Sequence, residues 1–432
     1  MLKTINMKSI RFLFQLMGSL AVIGCSTGNN TREPINITAI NEVFGDGLKN
    51  TGVILEYDQE IDNDELKKTA FEVTGRKISK IYANRLPEKT DKGKNGKYII
   101  IELSQADKTF VSSVQKKGPQ TNISEPGVII KQTGIVTTTK GGSLQPGDKV
   151  YENNKTRNLV ADDFLQKVYE DNETGLTINY NLFVPSDYDP EESYPLVLFM
   201  HDASVTGNST KATLLQGNGA TVWATPSEQS RHKAFVLAPQ FSTRIVNDNW
   251  ETTDDLDAVI NLIKHLQKEY SIDKNRLYTT GQSGGCMMSI AMNIKYPACF
   301  AASYLVAGQW DTEKVSPMAD DHIWIMVAEG DEKAYPGMNA ITKELEAHGA
   351  KVSRAVWNGQ SSPPEFSKLV EKMETEDSNI KYVALQKNTV VPEGVEENPV
   401  ENHMYTWKIA YNIEGIRDWL FQQKNDRIPA EN

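Results

Sequence analysis

The chain has 432 residues, enough for two or three domains at roughly 150 residues each. Its 39% hydrophobic and 24% charged residues are globular proportions, which excludes wholesale disorder and fibrous repeats. A formal charge of −11 repels phosphate backbones and anionic lipid heads, so nucleic acid is not an expected partner; 3 cysteines are too few for a disulfide framework, and no C-x-x-C pair suggests zinc.

The chain opens with an address. Lys3, Lys8 and Arg11 precede an apolar stretch from Phe12 to Ile23, the charged and hydrophobic regions of a secretory signal. No run approaches the ~20 apolar residues of a bilayer span. Val22-Ile23-Gly24-Cys25 resembles a bacterial lipobox, which implies cleavage before Cys25 and a lipid on its sulfur. The expectation is a signal peptide over residues 1–24, a tether over 25–34, and an exported lipoprotein on the cell surface or facing the periplasm. A plain signal peptide with an incidental cysteine is the alternative.

From Ile35 to about Val160, short apolar runs alternate with Gly, Asp, Asn and Lys clusters. Ile35–Ile40, Gly52–Tyr57, Phe71–Val73, Ile78–Ala83, Tyr98–Leu103, Val128–Ile130 and Gly134–Thr138 read as strands; only Asp64–Thr69 looks helical. Seven strands without a long helix predict an immunoglobulin-like β-sandwich over residues 35–160. No cluster there proposes chemistry, so the domain reads as a structural or interaction module and a candidate oligomerisation surface.

The texture changes near Phe164. Leu176–Val184, Tyr194–Met200, Ala234–Ala238, Arg276–Thr280, Ala302–Val306 and Ile323–Ala328 are strand-like, most of them unbroken apolar runs of the kind a parallel sheet covers on both faces. Between them lie helical patterns: Asp254–Tyr270, capped by Thr252 or Thr253; Gly285–Lys295, stopped by Pro297; Met338–His348, ending at Gly349; and Tyr405–Gln422. Alternating strand and helix predicts an α/β doubly wound, mostly parallel sheet over residues 161–426, with 427–432 as a tail.

One motif carries chemistry. Gly281-Gln282-Ser283-Gly284-Gly285 is a G-x-S-x-G at a predicted strand-to-helix junction. The serine must sit on a strained turn whose neighbours have no room for side chains, and the following helix aims its free N–H groups at a developing oxyanion. A base and an orienting acid should follow in the order Ser, Asp/Glu, His. Of the histidines downstream, His322 opens a strand at the wrong end and His348 caps a helix C-terminus. His403, in a polar loop before the last helix, is the expected base. The acid should follow the strand Ile323–Ala328, where Asp331 is favoured over Glu329. Gly284 and either Asp202 or Ala203 are the expected backbone donors to an oxyanion, with His201 bracing that loop.

Trp310 and Gln282 are candidate substrate contacts, and Trp250 a weaker one. Cys286 reads as a small buried hydrophobe. It cannot easily pair with Cys299, since thirteen helical residues span about 20 Å.

These residues resemble a family. Met200-His201-Asp202-Ala203, Gly281–Gly285, Glu329-Gly330-Asp331 with Ala334–Asn339, and His403–Trp407 followed by Ile413–Ile416 look like secreted α/β-hydrolase esterases with an N-terminal immunoglobulin-like domain. That group overlaps the polyhydroxybutyrate-depolymerase-like and prolyl-oligopeptidase-like hydrolases. The resemblance implies an α/β-hydrolase fold, hydrolysis of small or polymeric esters with short acyl chains, triad roles for Ser283, Asp331 and His403, and no metal or organic cofactor. Membrane contact is expected only through Cys25. Two stretches depart from the pattern, Gly359–Asn379 and Lys387–Glu401, and are expected to lengthen the rim of the site. A serine peptidase and a surface-binding lipoprotein with a vestigial hydrolase domain are the rival readings.

Overall fold

The structure is a computed structural model that describes residues 33–105, 114–117, 120–123 and 125–427. The expected leader, the lipid site at Cys25 and the last five residues lie outside them.

Among the described residues, two main sheets build the N-terminal domain, beside two short two-stranded ribbons. The larger has the strand order Lys155–Asn158, Asn36–Phe44, Gly47–Ile61, Gly96–Leu103, Ile78–Asn84. The smaller consists of Val150–Glu152, Ile129–Gln132 and Phe71–Val73. Alternate residues of a strand point to one face, and here Ile37, Ala39, Val53, Leu55, Ile99 and Ile101 meet Phe71, Val73 and Ile130 in a closed apolar layer. This is the predicted sandwich. The expected helix at Asp64–Thr69 is only a 3-10 turn at Lys68–Ala70. The strand Lys155–Asn158, too polar to be read as one, runs parallel to Asn36–Phe44 and closes the sheet edge.

A nine-stranded sheet organises the second domain. Its strands are β1 (Leu165–Glu170), β2 (Thr177–Phe183), β3 (Tyr194–Met200), β4 (Phe235–Gln240), β5 (Ile272–Gln282), β6 (Ala302–Val306), β7 (Ile323–Ala328), β8 (Val352–Trp357) and β9 (Ile380–Leu385). Their order is 1-2-4-3-5-6-7-9-8. The β1–β2 and β2–β4 pairs are antiparallel and all others parallel. Every residue of β3, β4, β6, β7 and β9 is buried, the signature of strands covered on both faces. The edge strand β1 exposes Leu165 and Val168 and offers no apolar run, which is why the sequence hides it.

The helices that cover the sheet are α1 (Asp255–Glu269), α2 (Gly284–Lys295), α3 (Ala334–Ala347), α4 (Pro363–Glu374), α5 (Pro399–Ala410) and α6 (Glu414–Gln422). Several expectations are corrected here. Asp254, not Thr252 or Thr253, holds the N-cap position of α1, and the Thr253 hydroxyl bonds the Asp255 carboxylate instead. The predicted helix Tyr405–Gln422 is two helices, because Arg417 folds back to donate to the Tyr411 carbonyl at 2.6 Å and fixes the turn between them. Gly359–Asn379 does not lengthen a rim. It is the crossover from β8 to β9, with a capping box of Ser362 and Glu365 starting α4, and with Phe366, Val370 and Met373 in the core. Lys387–Glu401 runs as a loop into α5 and is tied down by a bond from the Lys387 N–H to Glu329.

The two domains share packing. Leu48, on the N-terminal hairpin, is fully buried within the hydrolase core. At the tip of that hairpin Gly45 lies flat on α5: a Cβ there would stand 2.6 Å from the Lys408 Cα.

Candidate active site

Strand β5 ends at Gln282, α2 begins at Gly284, and Ser283 makes the corner at φ 52° and ψ −119°. A non-glycine residue held there stores about 1–3 kcal/mol of strain. The corner survives because it is clamped: the Ser283 N–H donates to the Val306 carbonyl at 3.0 Å, and its own carbonyl accepts from Met287 at 3.1 Å. Both glycines are sterically obligatory. A Cβ at Gly281 would lie 2.4 Å from the Gly285 carbonyl carbon, and one at Gly285 would lie 1.9 Å from the Met200 oxygen.

The structure brings Ser283, His403 and Asp331 together. His403 Nε2 is 2.9 Å from Ser283 Oγ, and Nδ1 is 2.5 Å from Asp331 Oδ2. His403 sits inside α5 and not in a loop: Asn398 caps the helix by accepting from the Glu401 N–H, and Pro399 occupies its first turn. Those start signals were legible, but the polar residues around them masked the helix. Trp407, one turn on, meets the imidazole edge-on at 5.0 Å. Asp331 follows β7, and its Oδ1 accepts the N–H groups of Lys333 and Ala334 at 3.0 and 2.9 Å. Burial pushes its carboxyl upward, but the His403 hydrogen bond and charge, with the two N–H donors, outweigh that and hold it below the usual range. Glu329 faces elsewhere, on the Lys387 N–H.

Three of the other histidines stand apart from the triad. His201 is fully enclosed, and its Nε2 accepts from the Phe241 N–H at 3.1 Å. Its proton must therefore sit on Nδ1, which lies 2.7 Å from the Asp202 carbonyl. Burial holds its basicity down, so it is a neutral brace for the β3 loop. His348 caps α3 through the Glu344 carbonyl, and His322 lies at the opposite end of β7.

Ala203 and Gly284 form the candidate oxyanion pair. The Ala203 nitrogen would be 3.3 Å from a Cβ on Gly284, and both residues line the cleft beside Ser283. Asp202 instead turns inward, where its carboxylate accepts from the Ser204 N–H at 2.6 Å and the Gln282 amide at 3.0 Å. Two expectations change here. Gln282 is buried and does not face a substrate; it anchors the oxyanion loop. Trp310 is also buried, and the half-buried Trp250 packs edge-on against it at 5.8 Å; neither is among the residues that line the cleft.

The cleft over Ser283 has a volume of about 380 Å³. Met287, Ala307 and Val246 give it an apolar lining, while Arg244, Asp248, Gln309 and Lys333 make it polar. Cavities of about 580 and 590 Å³ elsewhere, beside β1 and on the sandwich, contain none of these groups. Cys286 is enclosed beneath the elbow, where burial raises its thiol far above the ordinary range, and both it and Cys299 are unpaired. Glu228, His232 and Asp418 form the one metal-ligand grouping among the described residues. Arg231 and Arg417 already donate to Glu228 Oε2 at 2.6 and 2.7 Å, which neutralises the cluster without a cation.

A strained serine at the C-terminal end of the central strand, backed by imidazole and carboxylate, together with this strand order, defines an α/β-hydrolase. Comparison with known proteins sharpens the class. Residues 36–145 match the esterase Ig-like N-terminal domain, and residues 241–348 match the prolyl oligopeptidase family. A crystal structure of a thermostable esterase superimposes with a TM-score of 0.77 at 28% identity, covering 90% of this chain and 100% of that one. Poly(3-hydroxyalkanoate) depolymerase C of Paucimonas lemoignei is 27% identical over 124 residues, which are 26% of this chain and 28% of the relative. Acetylxylan esterase A of Aspergillus ficuum is 25% identical over 210 residues, 44% of this chain and 65% of the relative. The chain therefore spans less than two thirds of either curated relative. It is an α/β-hydrolase carrying an esterase-type Ig-like domain, as the resemblance in its sequence implied.

Proposed function

We propose that this chain is a serine carboxylic-ester hydrolase that cleaves short acyl esters through an acyl-enzyme. The observation that carries the reading is the single imidazole of His403, bonded through Nε2 to Ser283 Oγ and through Nδ1 to Asp331. Asp331 accepts a hydrogen bond from the Nδ1–H group and keeps the proton on that nitrogen, which leaves Nε2 free to take the serine proton. Ser283 Oγ then bonds the ester carbonyl carbon, and the negative oxygen faces the N–H groups of Ala203 and Gly284. Collapse breaks the bond to the alcohol oxygen, which leaves with the proton from His403. Water, deprotonated by His403, adds to the acyl carbon, and Ser283 departs with its hydroxyl restored.

Two relatives named for a polyester depolymerase and an acetyl esterase favour esters over amides, and the modest cleft favours small acyl groups. The match to the prolyl oligopeptidase family supports a second reading, a serine peptidase. Turnover of p-nitrophenyl acetate through octanoate, beside prolyl p-nitroanilides, decides between them: ester turnover falling with chain length supports the first, anilide turnover the second. A fluorophosphonate probe that fails to label Ser283 would refute both and leave a vestigial domain. Export as a lipoprotein anchored at Cys25 belongs to the same proposal; an unmodified mature N-terminus in mass spectrometry would overturn it.

A further inference from the structure

We propose that Arg244 recognises a free carboxylate on the substrate, so that the preferred esters are anionic. The inference rests on ester hydrolysis at Ser283 and names the class of ester. Arg244 lies on the loop between β4 and α1, and it lines the same cleft as Ser283 and His403. That loop is pinned at its base. Phe241 and Ile245 are buried on either side, the Ile245 carbonyl accepts from the Thr253 N–H at 3.2 Å, and Val246 bridges Thr252. The backbone that carries Arg244 is thus fixed relative to the nucleophile.

The other charged groups of the cleft are already matched. Asp248 receives the Lys333 ammonium at 3.1 Å on one oxygen and the Gln309 amide at 3.2 Å on the other. Among the described residues no carboxylate lies within ion-pair range of Arg244. Its guanidinium is therefore the excess positive charge of a cleft in a chain whose formal charge is −11. A guanidinium presents a planar fork that fits a carboxylate with two charge-assisted hydrogen bonds. An ester substrate with a carboxylate on its acyl side or its alcohol side would fill that position; a neutral ester would leave it to water.

The test compares two pairs of substrates. p-Nitrophenyl hemiglutarate against p-nitrophenyl pentanoate places the carboxylate on the acyl side, and 4-acetoxybenzoate against its methyl ester places it on the alcohol side. The quantity read is the anionic-to-neutral ratio of kcat/KM, compared between parent and variant so that intrinsic reactivity cancels. In one of the pairs Arg244→Gln should lower that ratio about tenfold, chiefly through KM, and Arg244→Lys should fall between, keeping charge without the fork. Added salt should lower the ratio in the parent and not in Arg244→Gln. A ratio within twofold of the parent in both pairs, including an equal loss on both members of a pair, overturns this proposal and leaves the esterase reading standing. A parent that hydrolyses none of the four esters overturns both.

Discussion

Asp331 holds His403 with one oxygen, at 2.5 Å, while its other oxygen is held by the N–H groups that open α3. The carboxylate cannot rotate away from the imidazole without surrendering two backbone bonds. Asp331→Asn should therefore lower kcat about 10⁴-fold, since the amide presents a donor to Nδ1 and favours the wrong tautomer. Glu329→Gln, whose side chain serves the Lys387 loop, should stay within a few-fold of the parent. Kinetics of the two variants on one short ester check the assignment, and the reverse order of damage would refute it.

The same residue predicts a pH dependence of stability. The Asp331 carboxyl is lowered in the folded chain, so the unfolded state takes up its proton first as pH falls. Its contribution is present above an unfolded value near ~3.9 and disappears as pH drops through the lower folded value. Denaturant midpoints of the parent and Asp331→Asn should thus differ most above about pH 5 and converge toward pH 2. A gap that widens on acidification would contradict the assigned direction.

Ser283→Ala should lower kcat about 10⁴–10⁶-fold without loss of fold. Ser283→Gly should be equally inactive yet melt higher than Ser283→Ala, because φ 52° and ψ −119° strain any residue with a Cβ. Thermal unfolding of the two variants measures that difference, and a Ser283→Ala variant that melts higher than Ser283→Gly would mean the corner is not strained.

Gln282→Leu removes the amide that holds Asp202 and leaves a buried carboxylate short of a donor. The Ala203 N–H should drift from Gly284, with kcat reduced roughly tenfold to a hundredfold, less than outright loss of an oxyanion donor. KM should change little. An unaltered kcat would show that the loop is positioned without Gln282.

Gly45→Ala tests whether the N-terminal domain acts on the site. The new methyl meets the backbone of Lys408, in the helix that carries His403. Displacing α5 by a few tenths of an ångström should lower kcat more than it raises KM, since the His403–Ser283 contact is a geometric requirement of proton transfer. Unchanged kinetics with lowered stability would confine the contact to packing.

Much of the chemistry was written locally. Gly281 and Gly285 had to be glycines because of atoms within a few residues of Ser283 and on the adjacent strand, and such steric demands are visible as a motif. The unbroken apolar runs likewise announced a sheet covered on both faces, since burial on two sides leaves no position for polar alternation. The identity of the cleft wall was decided elsewhere. Trp310 looked like a substrate contact from its place after β6, yet it turned into the core against Trp250. Gln282 turned inward because Asp202, eighty positions away, offered its carboxylate there. No motif marks Arg244, which becomes a cleft residue only because its loop folds over the same strand ends as Lys333 and His403. Backbone constraints act between neighbours and leave a pattern. The direction in which a loop side chain points is set by partners brought near only after the sheet has formed, and no local pattern records it.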